Sequence, residues 1–208
     1  MKKLITTIFT LLVFAISFSQ ISYGVKAGYS NSSMKWNEGN IKTKFDSKSY
    51  FYFGGFVENK ISEKVTLQGE LQYTELGGKY ERDLVAIVGD EIVNMGKADF
   101  KIKVPQISLP ISAKYSINEQ IKILGGINFN FIVNPTFETV PDITIPYKKG
   151  DIDSFKSFNV NPFIGAEYQF YKNFFAEARY NIGLLDAAKA DAINTYFNTF
   201  QIGFGYKF

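Results

Sequence analysis

The chain has neither cysteine nor histidine among its 208 residues. Without cysteine there is no disulfide framework and no thiol chemistry. Without histidine, a Ser-His-acid triad, an Asp-His pair and a histidine-based zinc site are all excluded. Tryptophan occurs once, at position 36. A large excess of one charge is lacking too. The formal charge is +3, and Lys2 and Lys3 supply two of those positive charges, so the rest is near neutral and nothing points to nucleic acid. Long apolar runs are scarce after the first residues, and the mean hydropathy of -0.06 would pass for a soluble protein. What the chain does have is 21 Phe, 13 Tyr and 17 Gly, a composition rich in strand formers.

The first residues read as an export signal. Lys2 and Lys3 precede an apolar stretch over 4–16, and Ser17 and Ser19 stand at the −3 and −1 positions before Gln20. This is the plan of a cleaved signal peptide over 1–19, leaving a single domain over 20–208. The alternative is a spanning helix, which the shortness of the run and its Ser- and Gln-rich end oppose. No cysteine follows the run, so no lipid anchor is expected.

Eight strands are expected, at roughly 21–31, 48–59, 64–79, 100–116, 120–133, 156–170, 173–184 and 195–208. Each is long enough to cross a bilayer at a tilt. Their connections alternate in size. Tight polar turns at 59–64, 116–120 and 170–173 alternate with longer segments at 32–47, 80–99, 134–155 and 185–194. The segment 80–99 carries strand-forming runs on either side of Gly89 and Asp90 and reads as a hairpin rising above the membrane. The run 184–194 is the one place where a short helical turn is expected.

A two-residue period sorts the side chains onto two faces. Val65, Leu67, Leu71 and Tyr73 oppose Thr66, Gln68, Glu70, Gln72 and Thr74. Phe200, Ile202, Phe204, Tyr206 and Phe208 oppose Thr199, Gln201 and Lys207. The second strand is ambiguous, because 51–56 is aromatic on both faces; Glu58 is favoured as inward. Alternation alone does not say which face is inside, since a lipocalin-like soluble carrier would turn the apolar face in. Three features favour the membrane arrangement: the alternating loop sizes, the aromatics near strand ends, and the terminal Phe204, Tyr206 and Phe208 on one face, the pattern read by the barrel-assembly machinery. The expected fold is an all-β, eight-stranded antiparallel transmembrane up-and-down β-barrel in the cell outer membrane.

In that arrangement the lumen holds Lys26, Lys114, Lys122, Arg179 and Lys207 with Glu58, Glu70, Glu167 and Glu177. Eight strands enclose a space that side chains just fill, so these nine are expected to form a structural ion network. The competing idea, a catalytic carboxylate pair among Glu70, Glu167 and Glu177, lacks any nucleophile or cleft in its spacing. Asp151 and Asp153 lack the other ligands of a calcium loop. No catalytic, cofactor or metal site is expected. Pro105, Pro110 and Pro162 should sit at strand ends or bulges, because proline cannot donate to a ladder, and Pro110 fits least well.

Several segments resemble the PorT-like outer-membrane β-barrel family of Bacteroidetes. They are the signal end at 17–20, the strand start at 24–29, the hairpin from 53–58 to 67–73 with its Leu-Gln-x-Glu-Leu element, the proline-containing 104–110, and the terminal 204–208. The resemblance implies an eight-stranded barrel without known enzymatic activity, and makes Pro110 a family feature. The expected role is a non-enzymatic, monomeric envelope protein, structural or binding a protein partner at 80–99 and 134–155. A narrow porin-like channel is the alternative.

Overall fold

A computed structural model describes residues 21–39, 41–89, 91–140, 148–189 and 193–208. The expected signal segment lies outside them. The strands are β1 (Ile21–Glu38), β2 (Ile41–Lys44), β3 (Lys48–Lys60), β4 (Val65–Val88), β5 (Glu91–Ser116), β6 (Ile121–Ile132), β7 (Thr136–Val140), β8 (Lys148–Asp151), β9 (Phe158–Tyr171), β10 (Phe174–Asn181) and β11 (Ile193–Lys207). Eight of them, β1, β3, β4, β5, β6, β9, β10 and β11, pair in that order, and β11 pairs back to β1. The ring is closed and every pairing is antiparallel. Closure satisfies the backbone of each strand on both sides, which a sheet surrounded by hydrocarbon requires.

All three short connections, β3–β4, β5–β6 and β9–β10, lie at one end of the cylinder, together with the start of β1 and the end of β11. The four long connections lie at the other. There the strands outrun the sequence reading. β1 continues past residue 31 and turns at Gly39 into β2. β4 and β5 remain paired through the whole 80–99 segment, as a hairpin with Gly89 at its tip. β7 pairs the outer part of β5, and β8 pairs β7.

The two faces separate by chemistry. Ile123 is 48 % exposed and Phe204 65 %, whereas Arg179 is 2 % exposed and Glu167 is fully buried. The apolar band therefore faces outward and the ionisable groups face in. Aromatic contacts gather at both margins of the band. Tyr23, Phe174, Tyr206 and Phe208 meet near the short turns. Tyr29 packs on Phe51, Phe53 on Tyr73 and Phe131 on Phe158 further out.

β3, ambiguous in sequence, turns Tyr50, Tyr52, Phe56 and Glu58 inward and Phe51 and Phe53 outward. Large rings fit a narrow lumen because neighbouring strands leave holes for them. A Cβ at Gly24 would collide with the Phe56 ring, one at Gly203 with the Tyr52 hydroxyl, and one at Gly205 with the Phe175 ring.

Two expectations need correction. None of the three prolines is at a strand end or a bulge: Pro105 lies within β5 opposite Glu75, Pro162 within β9 opposite Ile127, and Pro110 mid-strand in β5 opposite Asn128 of β6, with no register shift there. The Pro105 carbonyl accepts from Val133 N on the β6 side. By the two-residue period Pro110 then faces β4, and there the ladder skips from Gly69–Ile111 to Gln72–Ser108. The missing donor costs two pairs on one side of one strand and leaves the register intact. The second correction concerns 184–194, whose described residues, 184–189 and 193–194, contain no helix. The Asp186 carboxylate instead accepts from the N–H groups of Ala188 (3.0 Å) and Thr195 (2.7 Å), the local competition by which aspartate diverts backbone from a helix.

Candidate functional site: the filled lumen and its outer cap

Read from the short-turn end outward, the lumen-facing positions taken together pass from charged groups to amides and hydroxyls and then to apolar groups, with exceptions such as Gln68 below Glu70 on β4 and Phe56, Tyr52 and Tyr50 above Glu58 on β3. Along β4 the inward residues are Gln68, Glu70, Gln72, Thr74 and Leu76; along β5, read backward, Lys114, Ser112, Pro110, Ser108, Gln106 and Val104; along β11, Lys207, Gln201, Thr199 and Phe197. Stacking eight such strands yields three storeys.

The ionic storey has two parts. Nearest the short turns, Lys114 reaches Glu58 at 2.6 Å and also pairs Glu167. Lys207 lies 2.6 Å from Glu167 and 3.2 Å from Glu58, and Lys122 lies 3.3 Å from Glu167. Phe56 and Phe175 wall this group, and the Lys114 ammonium sits 5.7 and 5.6 Å from their ring centres. Cation–π contact in a desolvated site adds to the ion pairing. Further out, Lys26 and Arg179 alternate with Glu70 and Glu177 in a closed square. Its distances are 2.6 Å (Lys26–Glu70), 2.9 Å (Lys26–Glu177), 2.7 Å (Arg179–Glu70) and 2.6 Å (Arg179–Glu177). The Arg179 guanidinium also lies 4.7 Å from the Phe163 ring centre. The square is electrically neutral, as a group removed from water must nearly be.

Thus all nine residues singled out in sequence line the lumen, and the structure places them in two sets. Spacing along one strand could not assign partners: Lys26 and Glu177 are 151 residues apart.

Above the square the lumen becomes neutral. Asn128 donates to Asn181 at 3.3 Å, Asn181 to Gln201 at 3.5 Å, and Ser108 to Asn130 at 2.8 Å. Gln72, Thr74, Ser30 and Asn161 are buried in the same storey with side-chain polar atoms that no group among the described residues meets. Buried polar atoms of this kind take ordered water as partner.

The third storey is an apolar cap that sequence reading missed. Met34, Phe45, Leu76, Val104, Phe155, Ala187 and Phe197 form one buried cluster, with Trp36, Ile102, Ile132 and Ile152 packed against it. Strand residues supply its floor, and loop residues fold over the mouth. An isolated bridge, Phe155–Ala188, ties the third long loop to the fourth. A signal existed in the sequence: on β4, β5 and β11 the inward positions turn apolar at Leu76, Val104 and Phe197, beyond the last membrane-facing aromatics.

Among the described residues no group of three or more carboxylate, His or Cys side chains is arranged to hold a metal ion. The Glu70 and Glu177 carboxylates are held by Lys26 and Arg179, and Glu167 by three lysines.

A closed ring of eight antiparallel strands, apolar outside and charged within, defines an integral outer-membrane β-barrel. The chain belongs to the outer membrane protein beta-barrel domain family, whose model matches residues 17–189. No curated protein matches it significantly. Among solved structures it is similar to Ail, the attachment invasion locus protein of Yersinia pestis, crystallised with the heparin analogue sucrose octasulfate. The identity is 14 %, over 91 % of this chain and 99 % of that one, with a TM-score of 0.51. It is similar also to Neisserial surface protein A, again at 14 % identity, 91 % and 99 % coverage and a TM-score of 0.51. At such identity these likenesses show the fold alone, and it is the family that implies an outer-membrane bilayer around the chain.

Proposed function

We propose that this protein is a non-enzymatic, monomeric envelope barrel that acts through its long loops, with its lumen a permanent filling rather than a pathway. The observation that carries this reading is the neutral Lys26–Glu70–Arg179–Glu177 square, which sits across the lumen with an amide storey and an apolar cap stacked above it. Every charge there is used in holding another. The absence of histidine agrees with a barrel that does no acid–base chemistry of the triad or Asp-His type.

In this reading the short turns face the periplasm and the long loops the outside, as is general for such barrels. The chain is exported by a signal peptide over 1–19, and Phe204, Tyr206 and Phe208 present the barrel-assembly machinery with its recognition strand. The PorT-like resemblance is the finer family placement we favour. The 80–99 hairpin and the 134–155 segment are the surfaces offered to a protein partner. The hairpin holds exposed Val85 and Ile87, and an unpaired strand edge is a ready template for another chain.

Conductance tests the filled lumen. The protein, purified and inserted into planar bilayers, should give no discrete channel steps at moderate voltage. Steady unitary conductance of the wild-type chain would instead establish the narrow channel.

A further inference from the structure

We propose that the outer mouth of the barrel carries a binding pocket for one uncharged, ring-containing small molecule. Beside the apolar cap lies a cavity of about 250 Å3. Met34, Trp36 and Ile102 wall it from the barrel side, and Ile152, Phe155 and Ala188 from the loops. The register explains the arrangement: Trp36 stands opposite Thr195 across β1–β11, and Phe155 is bridged to Ala188, so barrel wall and two loops meet around one space.

Its lining specifies the ligand. None of the described lining residues is charged. A charged guest would shed its hydration with nothing to replace it, at a cost of several kcal/mol. The walls are aliphatic and aromatic, with the hydroxyl residues Ser154 and Thr195 at the margin. The Trp36 indole N–H is buried and meets no acceptor among the described residues, and buried indole donors normally find one. The guest is therefore apolar over most of its surface and carries a hydrogen-bond acceptor. An apolar cavity of about 150 Å3 accepts a benzene ring, so this one accommodates a single substituted ring. The pocket stands at the long-loop end, beyond the aromatic margin of the bilayer band, so such a molecule reaches it from the surrounding medium without crossing the sealed lumen.

Trp36 is the only tryptophan in the chain, so its fluorescence reports on the pocket directly. The full-length mature protein, folded in phosphatidylcholine nanodiscs, is titrated with 4-nitrobenzyl alcohol, an uncharged substituted ring that quenches indole on contact. Quenching should saturate. Filling the cavity with Ala188→Leu should weaken the apparent affinity at least about tenfold and leave only a linear, collisional response. If Ala188→Leu fails to show the folded gel mobility, Ile152→Phe, on a partly exposed loop residue, serves the same purpose. Linear quenching in the wild-type protein, or an unchanged saturable curve in whichever filled variant folds, would overturn the proposal.

Discussion

Removing one member of the Lys26–Glu70–Arg179–Glu177 square leaves a charge without its counter-charge in a lumen walled off from water. Such a loss typically costs about 3–5 kcal/mol, whereas removing a matched pair costs much less. Arg179→Met should therefore lower stability by roughly that amount, and Arg179→Met with Glu70→Leu should recover most of it. Urea unfolding of the barrel from lipid vesicles measures both. The same scale holds a steric test. At Gly205 a side chain would occupy the space of the Phe175 ring. Gly205→Val should abolish the heat-modifiable gel shift of a folded barrel, and adding Phe175→Leu should restore it. The face of a charged lumen residue was legible where a two-residue period runs clearly through its strand, which the doubly aromatic strand of Glu58 does not offer. The inward Tyr52 and Phe56 were not, because the glycines that admit them belong to β1 and β11, and one strand read alone does not show its neighbours' holes.

Among the elements, the fourth long connection is held by one aspartate as well as by its bridge to the third loop. The Asp186 carboxylate holds Ala188 N, Thr195 N and the Lys156 ammonium, the last at 3.2 Å. Partial burial alone would raise its pKa, but the two backbone donors and Lys156 outweigh it and hold the carboxyl below its ordinary 3.8. A group with a depressed folded pKa stabilises above its unfolded pKa, and that contribution is lost as pH falls through the folded value. Amide exchange at 187–189 and 195 should therefore accelerate as pH drops below about 4, beyond the intrinsic change in exchange chemistry. Asp186→Asn should show fast exchange already at neutral pH and little further loosening. The strand pattern over 184–194 gave no hint of this anchor, because an Asp that binds backbone two and nine residues away looks like any loop acid. Strand boundaries at the short turns were legible from polar turn residues. Those at the long end were not, since β2, β7 and the outer parts of β1, β4 and β5 extend beyond the bilayer, where the apolar-polar alternation that marks a membrane strand no longer applies. Pro110 was legible as a conflict with a continuous strand. Its resolution, a two-pair gap toward β4 alone, depends on which neighbour its nitrogen faces.

For the whole molecule, closure and polarity go together: a ring without edges can stand in hydrocarbon, and its enclosed charges must then pair with one another. The alternation of faces and loop sizes carried most of this in the sequence. The division of the lumen into ionic, amide and apolar storeys needed the register that stacks the first strand against the last. The chain lacks cysteine, so single cysteines can be introduced without background. The direct test attaches a bimane fluorophore at Ile202→Cys, Phe204→Cys and Gln201→Cys, one at a time, in barrels folded into vesicles containing brominated acyl chains. Probes at 202 and 204 should be strongly quenched and the probe at 201 spared. Strong quenching at 201 with 202 and 204 spared would mean that the charged face meets the lipid, and would contradict the account.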